Sequence, residues 1–406
     1  MMPFLSRDVV DRLSRIEPFH AMEVLKQAER LRACGREIVS LALGEPGSAA
    51  PDAVQQAASR AMAAGLTGYS PALGLNELRE AIARFYASHY RLSIDPSRII
   101  VTAGASGALL LACAALFGPG DEVLMPDPCY PCNRHFVAAF GATARLIATS
   151  GARRFALTAE QVDEHWSDAT RGALIASPSN PTGTSTSFVE LETIAALARS
   201  RGASLIVDEI YQGLCYEGVD AATGFPPSAL GIADDVITIN SFSKFFGMTG
   251  WRLGWLVVPD SLVAIVEKLA QNLFICASTL SQRAALACFD EGSLAIYRER
   301  REHYRRQRDR LLPAFESMGL VVPARPDGAF YLYTDISAFL RDGIDDSETF
   351  CRQMLDTCGV VLVPGRDFGP AHARQFVRAS FAGSAESIER AIERLGSALA
   401  ERRRVV

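Results

Sequence analysis

A chain of 406 residues is too long for one compact core and requires two domains, or one large domain with a smaller companion. Hydrophobic content of 49% with 21% charged residues excludes a disordered or fibrous protein, and a net charge of -5 gives no electrostatic case for nucleic acid or an anionic membrane as partner. Met1-Met2-Pro3-Phe4-Leu5-Ser6-Arg7-Asp8 lacks the apolar core of a signal peptide, and no later run of about 18 apolar residues could span a bilayer, so the expected compartment is the cytoplasm. Nine cysteines, an odd number scattered through apolar segments, read as reduced thiols. Cys129 and Cys132 form a C-x-x-C without a second pair or a histidine cluster, so no metal site is expected.

Apolar residues at helical spacing over 19–34, ending at Gly35, predict an amphipathic helix with Lys26 on its polar side. A short strand over 38–43 runs into Gly44-Glu45-Pro46-Gly47, a sharp loop whose glycines expose backbone N–H groups, and helices follow at 51–64 and 75–90. From Ile99 the pattern changes. Short apolar or β-branched runs at 99–102, 122–125, 144–147, 173–176, 204–208, 236–239 and 253–257 predict seven buried strands. Helix-length segments separate most of them, as a mainly parallel sheet with crossovers requires; the last two are joined by one short segment, so one of them should be antiparallel. From Ser293 an Arg-rich helix, whose run from Arg298 to Arg310 predicts a solvated face, leads to strands near Leu320, Ala329, Val360 and Phe376. The expected class is α/β: a large domain over 49–291 with a mainly parallel seven-stranded sheet flanked by helices, and a smaller α/β domain formed by residues 1–48 together with 292–406.

Ligands of open α/β sheets sit at the carboxyl ends of strands, so residues just after each predicted strand take priority. Thr102-Ala103-Gly104-Ala105-Ser106-Gly107-Ala108 is a small-residue turn that would let backbone N–H groups and the Ser106 hydroxyl approach a phosphate, although close helix–strand packing selects the same residues. Asp208 ends an apolar strand, and a buried carboxylate must be paired; an N-cap in Asp208-Glu209-Ile210-Tyr211 explains it equally. Asn180, in Ser177-Pro178-Ser179-Asn180-Pro181-Thr182-Gly183, either serves a ligand or simply builds a loop. Lys244 is one of only three lysines, with Lys26 and Lys268, in a chain that otherwise meets its need for positive charge with arginine. Its amine can lose a proton and form a Schiff base, which arginine cannot do at neutral pH. Ser241 and Ser243 precede it and Arg252 follows eight residues later, a set able to hold a phosphate dianion beside the amine. That combination points to pyridoxal 5'-phosphate, with Asp208 holding a proton on the ring nitrogen and Asn180 and Tyr211 facing the phenolic oxygen.

From Phe19 to the C-terminal helix the chain resembles the class I/II pyridoxal-phosphate-dependent aminotransferases of fold type I. The resemblance rests on Ser241-x-Ser243-Lys244-x-Phe246-Gly247-Met248-x-Gly250-Trp251-Arg252-x-Gly254, on the Asn180 and Asp208 segments, on Tyr69-x4-Gly74-Leu75, and on Phe376-Val377-Arg378-Ala379-Ser380-Phe381-Ala382. It implies that Lys244 carries the cofactor and shuttles the proton, and that Ser106, Ser241, Ser243 and Arg252, with the backbone at Ala105, hold the phosphate. It further implies that Tyr130 stacks on the ring, that Arg378 grips the substrate α-carboxylate with the Gly44 N–H assisting, and that Tyr69 reaches the phosphate of a neighbouring subunit in a homodimer. The implied reaction is ping-pong transfer of an amino group between an α-amino acid and a 2-oxo acid. Relatives that act on aspartate carry a basic residue where this chain has Ser106, or in the segment that here reads Asn272-Leu273-Phe274-Ile275-Cys276, so neutral or aromatic substrates are favoured. A carbon–sulfur β-lyase on the same scaffold is the alternative, because motifs that bind the cofactor do not separate the two outcomes.

Overall fold

The computed structural model describes residues 6–18, 20–341 and 343–404; Met1 to Leu5 and Phe19, where the predicted helix and the resemblance begin, lie outside the described residues. Twelve strands occur among them: β1 Val39–Ser40, β2 Ile99–Thr102, β3 Glu122–Asp127, β4 Thr143–Ala148, β5 Thr170–Ala176, β6 Ser204–Asp208, β7 Ile237–Ser241, β8 Gly254–Val257, β9 Tyr331–Asp335, β10 Val360–Val361, β11 Val363–Pro364 and β12 Phe376–Ser380. Seven of these form the central sheet in the order β2-β8-β7-β6-β5-β3-β4, and every pairing is parallel except those of β8, which is antiparallel to both β2 and β7. The predicted seven strands, and the single reversal forced by the short link between the last two, are therefore both present.

The runs read as continuously apolar because both faces of the sheet are covered. Alternate residues of neighbouring strands go to opposite cores. Leu174, Ile206, Ile237 and Ile239 pack with Leu109 and Ala112 of the helix Gly104–Leu116 and with Val266 and Ala270 of the helix Asp260–Leu273. Ala173, Ile175, Leu205 and Val207 pack with Leu191, Ile194 and Ala195 of the helix Phe188–Ser200. Gly254 lies opposite both Thr102 and Ser241, so the register of β8 brings the 104–106 turn, the 241–244 segment and Arg252 to one edge, where β5 and β6 also end.

Outside this sheet, β1 pairs in parallel with β10, tying the N-terminal segment to the C-terminal part of the chain, and β11-β12-β9 form an antiparallel sheet. The strand expected over 38–43 shrinks to two residues, because its partner β10 is itself only two residues long. The strand expected near Leu320 is a single bridge between Val321 and Asp335, and the one expected near Ala329 begins at Tyr331. The helix Glu291–Ser317 corrects another expectation: Arg308 is not on a solvated face but only 1% exposed. Its guanidinium lies 5.0 Å over the Tyr216 ring and donates to Glu217 Oε1 at 2.8 Å and to the Pro326 carbonyl at 2.7 Å, which satisfies the buried charge. No helix among the described residues is long and apolar enough to cross a membrane.

Candidate active site

A cavity of about 470 Å³ opens where these strand ends meet, and it gathers Gly44, Ala105, Ser106, Tyr130, Asn180, Asp208, Tyr211, Ser241, Ser243, Lys244, Arg252 and Arg378. Of the residues singled out in the sequence only Tyr69 is elsewhere; it is 84% exposed and does not line this cavity.

The residues at one end of the cavity could accept an anion. The helix Gly104–Leu116 has no side-chain cap, and Ala105 and Ser106 of its first turn line the cavity at the positive end of the helix dipole. Arg252 comes over this turn: a Cβ on Gly104 would lie 2.7 Å from Arg252 Nη2, and a Cβ on Gly254 would strike the backbone at Gly104 and Ala105, at 2.7 and 2.8 Å. The glycines let the three segments close on one another. Ser243 lines the same end, but the Ser241 hydroxyl donates to the Leu253 carbonyl at 3.2 Å and accepts from the Ser243 N–H at 3.0 Å. As arranged, Ser241 staples the lysine segment to β8 and does not direct its proton into the cavity.

Lys244 lines the same cavity. Its Nζ donates to the Gly44 carbonyl, a contact the sequence did not suggest, and it lies 5.7 Å from the centre of the Tyr211 ring. Desolvation, and then the nearby Arg378 guanidinium, push the Lys244 ammonium down to about 8, which makes the neutral amine accessible near physiological pH. Asp208 ends β6 as predicted, 4% exposed, but it does not cap an α-helix; its Oδ1 accepts one bond, from the Ile210 N–H at 3.2 Å. Burial raises this carboxyl to about 7 against that bond and the opposing charge of Lys244. Such a carboxylate is short of a cation.

The third part surrounds Arg378, 3% exposed on β12. Its Nη1 donates to Asn180 Oδ1 and its Nη2 to the Ala42 carbonyl, both at 2.9 Å, while its Nε is buried without a partner. The guanidinium is sandwiched between the Tyr331 and Phe368 rings, 4.5 and 5.1 Å from their centroids. Because Asn180 accepts from Arg378 through Oδ1, its NH2 is left to donate to another group. Tyr211 and Tyr331 share a 2.8 Å hydrogen bond between their hydroxyls. Sequence reasoning did not single out Tyr331, nor Ala21, Met22 and Leu25 of the helix His20–Ala33, which supply an apolar wall to the cavity.

An amine lowered to about 8, a buried carboxylate with no ion pair, an uncapped helix start with Arg252 over it and a buried arginine with a spare donor thus line one cavity. Residues 36–395 match the model of the aminotransferase class I and II family. The chain belongs to that family. It is a transaminase, and the family is generally pyridoxal-phosphate-dependent. It is 40% identical to valine–pyruvate aminotransferase of Mycobacterium tuberculosis, over 94% of this chain and 96% of that one. It is 34% identical to (5-formylfuran-3-yl)methyl phosphate transaminase of Methanocaldococcus jannaschii, over 95% and 97%. A crystal structure of an aminotransferase from M. tuberculosis superimposes with a TM-score of 0.90 at 37% identity, covering 98% of this chain and 99% of that one. The relatives' names differ in substrate, so the match defines the reaction type and leaves the amino donor to be argued from the cavity.

Proposed function

We propose that this transaminase uses pyridoxal 5'-phosphate and takes neutral or aromatic amino acids in preference to aspartate. The observation that supports the cofactor assignment is that Lys244, lowered to about 8, lines one cavity with the buried Asp208 carboxylate and the 104–106 turn. The residues fit the group: the N–H groups at Ala105 and Ser106, with Ser243 and Arg252, would hold its phosphate; Asp208 would pair with its ring nitrogen; Asn180 and Tyr211 would donate to its phenolic oxygen; and Tyr130 would cover the ring. The bound cofactor supplies an electron sink for the substrate's α-carbon. Lys244 is then its covalent anchor and, once released, the base that takes the α-proton at Nζ and returns it. Arg378 holds the α-carboxylate with its planar fork. In the reverse half of the ping-pong cycle the same groups serve a 2-oxo acid. Reduction with borohydride followed by mass spectrometry should find the cofactor on the Lys244 peptide, and Lys244→Ala should lose both this tag and the half-reaction; a retained tag would sink the assignment.

The substrate preference rests on the cavity wall. Ala21, Met22, Leu25, Leu109 and Ile210 are apolar, and the only basic lining residues among those described are Lys244, Arg252 and Arg378, each of which already has a role. Arg283 pairs with Glu77 and Arg325 with Asp309 and Glu217, so neither neutralises a second substrate carboxylate. The name of the M. tuberculosis relative agrees with a neutral donor. Single-turnover half-reactions with valine, phenylalanine, glutamate and aspartate test this, and aspartate as the best donor would overturn it. Exposed Tyr69, which does not line its own cavity, supports a homodimer in which it completes the partner's phosphate site. No observation favours the β-lyase alternative.

A further inference from the structure

Tyr331 is buried on β9, in none of the cofactor-holding positions, yet it touches two groups that hold different ligands. Its ring carries the Arg378 guanidinium 4.5 Å from the centroid, and its hydroxyl is 2.8 Å from that of Tyr211. A phenol has one proton to give. In a pair of hydrogen-bonded phenols the more acidic member donates, and the positive charge lying on the Tyr331 ring favours loss of negative-charge-forming protons from that phenol first. Both residues line the cavity, and burial raises both phenols, Tyr211 the further, with Arg378 opposing the rise at each; the Arg378 charge lies nearer the Tyr331 ring, at 4.5 Å, than the Lys244 charge does to the Tyr211 ring, at 5.7 Å. Tyr331 therefore donates to the Tyr211 oxygen, and the Tyr211 proton is turned away from Tyr331 and into the cavity.

We propose that Tyr331 is a positioning residue that fixes the direction of the Tyr211 proton, so that Tyr211 donates to the cofactor's phenolic oxygen and thereby lowers the basicity of the Lys244 nitrogen. The proposal rests on the cofactor reading above and extends it to a residue with no contact assigned to the cofactor. A donor on the phenolic oxygen withdraws negative charge beside that nitrogen, so its proton is held less tightly; accepting a bond from Tyr331 polarises the Tyr211 O–H and strengthens the effect. The relay also has a direction. Arg378, which receives the substrate carboxylate, sits on the Tyr331 ring, so filling the carboxylate site weakens the acidity that orients the chain of phenols.

The test is the pH midpoint of the visible absorbance of the lysine-linked cofactor in the holoenzyme, measured for the wild type, Tyr331→Phe, Tyr211→Phe and the double variant. Tyr331→Phe keeps the ring under Arg378 and removes only the hydroxyl. The midpoint should rise in each single variant, by roughly 0.5 pH unit or more for Tyr331→Phe, and the double variant should match Tyr211→Phe alone because both changes act through one proton. An unchanged or lowered midpoint in Tyr331→Phe, or additive shifts in the double variant, would overturn the proposal. Absence of a visible band in the wild type would instead overturn the cofactor reading, so the two failures are distinct.

Discussion

Replacing Asp208 with asparagine should stabilise the cofactor-free protein while crippling the loaded one. The carboxyl is 4% exposed, accepts a single backbone bond and is raised to about 7. Asparagine keeps an oxygen for the Ile210 N–H and removes the charge. The rise from an ordinary value near 4 corresponds to about 4 kcal/mol of penalty at full ionisation, at 1.36 kcal/mol per unit. Water entering the cavity reduces this, so a gain of about 2–4 kcal/mol is expected. Unfolding entropy near 2.1 cal/mol/K per residue converts that gain to about 2–5 °C in Tm. The sign with pH follows from the raised folded-state value. The penalty is complete above pH 7, and it is relieved as pH falls through 7 towards 4, because the folded carboxyl then takes up its proton before the unfolded one does. Melting curves of cofactor-free wild type and Asp208→Asn should diverge at pH 8 and approach each other by pH 5. A variant that melts lower than wild type at pH 8, or a gap independent of pH, would show that Lys244 already neutralises Asp208 and would refute the argument that this carboxylate lacks a cation. In the holoenzyme the ordering reverses, since the pyridinium proton loses its partner and kcat falls.

Arg378→Lys keeps a charge but loses the fork held between Tyr331 and Phe368; kcat/KM should fall about 100-fold for amino acid and 2-oxo acid alike, and steady-state kinetics in both directions checks it, an unchanged KM for either refuting it. Gly104 has φ +73°, and a Cβ there would lie 2.7 Å from Arg252 Nη2. Gly104→Ala should therefore weaken cofactor affinity by about tenfold or more, from displacement of the arginine together with roughly 1 kcal/mol of left-handed strain; titration of the cofactor-free variant reads this directly.

The central sheet was legible because its strands are covered on both faces and so appear as short, wholly apolar runs between helices. Asp208 and Asn180 were legible for a related reason, since a polar group at or just after the end of such a run must meet something, whereas Lys244 stood out as one of three lysines and Arg378, in the middle of β12, only through the family resemblance. Where a side chain has two good excuses, the sequence loses its power. Ser241 is a hydroxyl in the right loop, and only the geometry shows its proton spent on Leu253. The Gly44 carbonyl accepts from Lys244, a backbone contact that no side-chain pattern announces.

Tyr331 is the sharpest case. It alternates with Tyr333 on β9, and the two tyrosines are equally buried in an aromatic run, so period-2 patterning gives both the same reading. What separates them is the partner of each hydroxyl: Tyr333 has none, whereas Tyr331 meets Tyr211. That difference depends on a residue 120 positions away and is invisible to any local window. Arg308 differs in kind, because its signal was present. Tyr297, Tyr304, Leu311 and Phe315 are buried at helical spacing along Glu291–Ser317, and Arg308 falls on the same face as its neighbours one turn to either side. An arginine on the apolar face of a helix must carry its charge to a carboxylate, here Glu217. Counting charge along the run hid it; reading its phase against the apolar face would have found it.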